Sequence, residues 1–144
     1  MQSIRPSRRM TGLTAGSKYV IDSSAWIEYL FGTNAGKKAA EFIENPDNTI
    51  ITPNIVLAEV ASKYARLGEN PEQAIISITE MSSPAAETRN LYAQGGIKHA
   101  EMRRQHKNIS LADCIVLSLA EMEGAAIIAK DYHLKGRGFI DIGK

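Results

Sequence analysis

Four acidic residues, Asp22, Glu59, Asp113 and Asp131, occupy places where a carboxylate can do more than face water. Asp22 follows the apolar pair Val20-Ile21 and precedes a helix-like stretch, so it reads either as that helix's N-cap or as a metal ligand at a sheet edge. Asp113 lies three residues after Ser110, the spacing of a capping box. It also shares a helical face with Val116 and Leu117. A carboxylate on such a face is costly unless a cation or several donors meet it, and a nearby helix N-terminus favours its ionised form. Asp131 follows the apolar run Ala125–Ala129, where it is either a turn residue or an acid placed beyond a strand. Glu59 has the plainest context. Leu57, Val60, Ala61 and Tyr64 mark the buried stripe of its helix, and Glu59 points nearly opposite, with Lys63 one turn on as a surface partner. Asp47 and Asp141 read as surface acids.

The elements that must position these acids alternate between strand and helix. Lys18–Ile21 is a short β-prone run, followed by a helix over 25–31 that Gly32 stops. A second helix covers 36–44, with Asn45-Pro46-Asp47 as the turn after it. Thr49–Ile51 is the next strand. Thr52-Pro53 then supplies an N-cap and a first-turn proline for a helix reaching about Leu67, with Gly68 as its stop. Asn70-Pro71 opens a helix to Met81. Residues 85–107 are helical in composition, and Gly95-Gly96 is expected to interrupt them. Ser110 caps an apolar helix to Glu123 that ends at Gly124, and 125–130 and 138–142 are the last strands. Short apolar strands alternating with helices predict one α/β domain, an open and mainly parallel β-sheet flanked by helices. Ligands bind such sheets beyond the carboxyl ends of the strands.

Composition sets the limits. A chain of 144 residues builds one core, and 44% hydrophobic with 23% charged residues is ordinary for a globular protein. The single cysteine, Cys114, excludes an internal disulfide and fits a reducing, cytoplasmic setting. No apolar run is long enough for a membrane span, and no secretory signal follows the basic start. The net charge of +1 is unevenly spread. Residues 1–17 read as a basic, flexible extension, with 18–144 as the folded domain. Arg5, Arg8, Arg9 and Lys18 carry +4 with no acid among the first 18 residues, leaving 13 basic and 16 acidic side chains, a balance of −3, beyond them. A general attraction for phosphate therefore cannot by itself explain any role with nucleic acid.

The order of the acidic pieces is similar to a known family. Val20-Ile21-Asp22-Ser23-Ser24-Ala25-Trp26-Ile27 resembles the opening motif of PIN domains, and of VapC-like toxin ribonucleases in particular. Leu57-Ala58-Glu59-Val60 resembles their second motif, Ile109-Ser110-Leu111-Ala112-Asp113-Cys114 the third, and Ile127–Leu134 the fourth. Each motif is short, but the four appear in the family's order over residues 18–142. One position departs: Ala129 stands where the family commonly carries Thr or Ser, a hydroxyl that would help to orient water or the fourth acid.

The resemblance implies that Asp22, Glu59, Asp113 and Asp131 converge on one pocket and hold Mg²⁺ or Mn²⁺, with Ser24 and Ser110 as polar neighbours. Two carboxylates about 4 Å apart repel by roughly 4 kcal/mol at an effective dielectric near 20. Four could not gather without raised pKa values or a cation. Oxygen-only ligation suits those two ions, and no Cys/His cluster has zinc spacing. The implied activity is hydrolysis of RNA phosphodiester bonds by a toxin that forms a homodimer and has a small antitoxin partner. An acidic pocket repels RNA, so Lys98, Arg103, Arg104, Lys107 and Lys130, with Lys135 and Arg137, are expected to flank it. For 98–107 a solvated helix face is the competing reading, and His99 and His106 read as surface residues. A non-catalytic PIN-like module binding RNA or protein is the alternative. A haloacid-dehalogenase-type phosphatase would want an acid where Ser24 stands, and a receiver domain lacks its paired acids here.

Overall fold

Lys18-Tyr19-Val20-Ile21 forms β1 (Lys18–Ile21) and takes the centre of the sheet together with β3 (Ala126–Ala129). The computed structural model describes residues 16–130 and 138–144. Asp131, Lys135, Arg137 and nearly all of the expected basic extension lie outside the described residues. With β2 (Thr49–Ile51) and β4 (Phe139–Asp141) the strand order is β2-β1-β3-β4, and every pairing is parallel. Val20 stands in register with Ile51 on one side and Ile127 on the other. Val20, Ile21, Ile128 and Ala129 are wholly buried, as strands covered on both faces require.

The chain leaves β1 toward β2 and later crosses back to β3 on β1's other flank. The carboxyl ends of β1 and β3 therefore face the crevice where the winding reverses, the usual ligand position in such sheets. The Asp22 backbone N–H donates to Ile128 O at 2.9 Å, which ties the end of β1 to β3 at that crevice.

Six helices connect these strands among the described residues. The first, α1 (Ser23–Phe31), begins two residues earlier than expected because Asp22 itself is the N-cap. Its Trp26 is fully buried and donates its indole N–H to Thr52 Oγ1 at 3.0 Å. The second, α2 (Asn34–Ile43), starts on a Thr33 cap, also two residues early.

Helix α3 (Asn54–Arg66) corrects an expectation. Pro53, not Thr52, is its N-cap residue, and no side chain of its own caps it. The Thr52 hydroxyl is engaged by Trp26 and lies 2.9 Å from Ser82 Oγ, while the Asn54 N–H is met by the Glu87 carboxylate at 2.9 Å. An acid distant in sequence thus does the capping, and favourably for the helix dipole.

Helix α4 (Pro71–Met81) follows its Asn70 cap with proline in the first turn, as expected. Helix α5 (Arg89–Met102) runs unbroken through Gly95-Gly96, contrary to the predicted interruption, and residues 85–88 precede it without helix. Packing supplies the reason: a Cβ on Gly95 would come within 2.8 Å of Ile115 Cγ1, so α5 needs a glycine to lie against α6 (Leu111–Glu123). Helix α6 in turn packs on β1 and β3 and buries every residue from Cys114 to Ala120. No helix among the described residues is long and apolar enough to cross a membrane.

Candidate functional site at the carboxyl edge of the sheet

Asp22 sits at the switch point with only 8% of its surface exposed. Its Oδ2 accepts the Ser24 hydroxyl at 2.8 Å and the Ser24 backbone N–H at 3.3 Å. The N-cap reading of Asp22 therefore holds, and it does not compete with a further role, because one oxygen performs it. Ser24 Oγ also accepts the Lys130 backbone N–H at 3.0 Å. One hydroxyl thus locks the Asp22 carboxylate to the residue that follows β3. Burial pushes the Asp22 pKa up, and the Asp113 carboxylate pushes it the same way, while the Ser24 bonds pull it down.

Asp113 arrives on the first turn of α6. The expected capping box is present: Asp113 N–H donates to Ser110 Oγ at 3.0 Å and Ser110 N–H donates to Asp113 Oδ2 at 3.1 Å. The structural and electrostatic readings of this residue coexist, since its charge is felt at Asp22 and at Glu59.

Glu59 lies off the buried stripe of α3, yet it does not simply face solvent. It is half-buried, and it makes no ion pair with Lys63 among the described residues. Burial raises its pKa first, then the charge of Asp22; Asp113 adds to the rise and the Ser23 side chain opposes it. The face of α3 turned away from its own buried stripe forms a wall across from α1. Three of the four acids are thus brought within mutual electrostatic reach from three different helices' starts and faces. Asp131, the fourth, lies outside the described residues.

The oxygen donors suit a hard dication, which would relieve both the burial cost and the mutual repulsion. Among the described residues no three His, Cys, Asp or Glu side chains stand close enough together to hold a metal ion as a group. Mg²⁺ is commonly held through one or two carboxylates and its own waters, so an open arrangement of this kind fits it. Cys114 takes no part: it is fully buried in the core, and burial pushes its thiol up to about 11.

A cavity of about 570 Å³ opens beside the acids, between α1 and α3. Ser23, Glu59, Ser62, Lys63, Arg66 and Lys130 are among the residues that line it. Ser62, Lys63 and Arg66 were missed as site candidates, though their spacing of three, four and seven from Glu59 places them on its helical face. Of the expected basic flank, Lys130 joins this cavity and pairs with Glu28 at 3.3 Å. Lys98 is elsewhere, paired with Glu121 at 3.0 Å. Arg103, Arg104 and Lys107 line a separate shallow depression with His99, whose ring nitrogen lies 3.3 Å from Ile109 O.

A family model described as the PIN domain matches residues 19–140. The chain belongs to the PIN-domain family. No curated protein sequence matches it, but solved structures share its fold. A chain of VapBC-1 from nontypeable Haemophilus influenzae is 20% identical, with a TM-score of 0.60 over 88% of this chain and 99% of that one. A chain of a toxin–antitoxin complex from Klebsiella pneumoniae is 17% identical, with a TM-score of 0.63 over 86% and 97%. A chain of VapBC2 from Rickettsia felis, bound to a DNA fragment from their promoter, is 18% identical, with a TM-score of 0.59 over 79% and 88%. The parallel four-stranded sheet and its switch-point acids are thus set in a PIN fold.

Proposed function

We propose that this PIN domain is a divalent-metal-dependent endoribonuclease, the toxin of a toxin–antitoxin pair. The observation that carries the proposal is the placement of Asp22, only 8% exposed, at the sheet's switch point, where burial and the charge of Asp113 raise its pKa and its own charge raises that of Glu59. Such coupling is expensive for a purely structural site and purposeful for one that receives a cation. Asp22 and Asp113 would hold Mg²⁺ or Mn²⁺ most directly, with Glu59 and Asp131 completing the site. A divalent ion bound there activates water and offsets the charge developing on a phosphodiester. Ser24 fixes the Asp22 carboxylate against β3, and Ser110 fixes Asp113 at the start of α6. Burial of Asp22 keeps bulk water from competing for that carboxylate.

Arg103, Arg104 and Lys107 form a basic surface suited to RNA beyond the cleavage site. The solved VapBC and toxin–antitoxin complexes that share the fold support a small antitoxin partner, and a cytoplasmic homodimer goes with that reading. One observation favours a non-catalytic RNA- or protein-binding module instead. Ala129, wholly buried in β3, carries no hydroxyl where PIN domains commonly have Thr or Ser.

Incubation of the protein with structured and unstructured RNA in Mg²⁺, Mn²⁺ or EDTA separates the two. Cleavage that needs metal and is lost in Asp22→Asn and Asp113→Asn supports the nuclease. Metal-independent cleavage, or equal cleavage by both variants, sinks it, and metal binding without cleavage supports the module.

A further inference from the structure

We infer that the polar stripe of α3 carries a second phosphate subsite, in which Lys63 and Arg66 grip the RNA backbone at a nucleotide next to the one cleaved. This deepens the nuclease reading and rests on it. Glu59, Ser62, Lys63 and Arg66 follow one another at helical spacing and all line the cavity between α1 and α3. Seven residues of α-helix rise about 10 Å. The Arg66 backbone therefore stands two turns along from Glu59, and its guanidinium, turned back to Ser62, is placed for a phosphate adjoining the one held at the acids.

Charge supports the assignment. Three cations and two acids line this cavity. Lys130 is committed to Glu28, whereas neither Lys63 nor Arg66 pairs with an acid among the described residues. The Arg66 Nε–H donates to Ser62 Oγ at 3.4 Å, along the same stripe, which holds the guanidinium on the groove side of the helix. Along α3 the groove thus presents an acid that suits a cation and, one to two turns on, two cations that suit a phosphate. A planar guanidinium matches phosphate geometry through paired donors, which a lysine at the same place would not do. A helix C-terminus also attracts cations to its last turn, but that role involves no RNA and leaves binding untouched.

Binding of a short fluorescein-labelled single-stranded RNA would be followed by anisotropy in EDTA over a range of salt. In Arg66→Gln the slope of log K against log salt should fall by about 0.7, and in Lys63→Gln/Arg66→Gln by about 1.4. Arg66→Lys should keep the wild-type slope, and Lys37→Gln, at an exposed position of α2, should match wild type throughout. An unchanged slope in the double variant overturns the subsite, as does a wild type that binds no RNA. Binding of an acidic peptide through Arg66 in place of RNA also overturns it, and makes the groove a protein-docking site. Cleavage in Mn²⁺ is scored separately on the wild type. Salt-slope loss without any cleavage keeps the subsite and removes the nuclease reading; cleavage with an unchanged slope does the reverse.

Discussion

Ser24 Oγ lies 2.8 Å from Asp22 Oδ2, and the same oxygen accepts the backbone N–H of Lys130 at 3.0 Å. The acid at the end of β1 is thereby held in place by the strand beside it. Hydrogen bonds to charged acceptors contribute roughly 1.5–3 kcal/mol. Groups that orient a metal ligand typically change metal affinity by about 10–100-fold when removed. Ser24→Ala should therefore weaken Mn²⁺ binding by about tenfold or more. Isothermal titration of the variant checks this, and wild-type affinity would show that the Ser24 hydroxyl does not orient the Asp22 carboxylate for metal.

Asp22 and Glu59 both have raised pKa values, burial being the larger cause in each. The folded chain then holds protons at pH values where the unfolded chain has released them. Without metal, these two acids should lower stability as pH rises from the ordinary carboxylate values of 3.8 and 4.5 through the raised ones. The melting temperature of Asp22→Asn minus that of wild type should be near zero in acid and grow toward neutral pH. Saturating Mg²⁺ should shrink the difference by stabilising the wild type alone. A difference independent of pH would show that burial and neighbouring charge do not raise the Asp22 pKa.

Removing the Asp113 side chain should separate its two roles. Asp113→Asn can still accept the Ser110 N–H, so its melting temperature should hold while RNA cleavage falls at least 100-fold. Asp113→Ala loses the box as well, at about 1 kcal/mol. Equal melting temperatures for the two variants would show that the capping box contributes nothing.

The two adjacent glycines of α5 should respond in opposite directions. Gly96 has open space where a Cβ would stand, so Gly96→Ala should stabilise by about 0.5–1 kcal/mol through helix propensity. Gly95→Val would drive atoms into Ile115, whose Cα lies 3.1 Å from the nearest Cβ position. Overpacking of this kind costs about 1–3 kcal/mol. Urea denaturation of both variants is the measurement, and a stabilised Gly95→Val would mean that α5 and α6 are not packed this closely.

On the basic depression of α5, charge reversal of Arg103 and Arg104 should weaken RNA binding and flatten its salt dependence. Unchanged binding across salt would return this surface to a plain solvated face.

Local chemistry in the sequence determined most of the elements. Apolar runs of two to four residues specify β1, β2 and β3 because strands covered on both faces admit little else. Asn70-Pro71, Ser110 and the two stops Gly32 and Gly124 mark helix ends because cap chemistry is local. Asp22 and Asp113 were legible for the same reason, each lying at a boundary that its neighbours define. Tertiary structure decided what lies opposite a surface. The wheel correctly set Glu59 away from the buried stripe of α3, but periodicity reports only the polarity of a face. That face forms the wall of a groove shared with α1, where Asp22 and Asp113 reach Glu59 across space, and no spacing along the chain encodes that distance. The unbroken α5 has the same origin: its glycine serves a neighbour twenty residues away, Ile115, and not the local turn that glycine pairs usually signal. Pro53 at the cap of α3 follows suit, since the acid that meets that helix's first N–H is Glu87, thirty-three residues on.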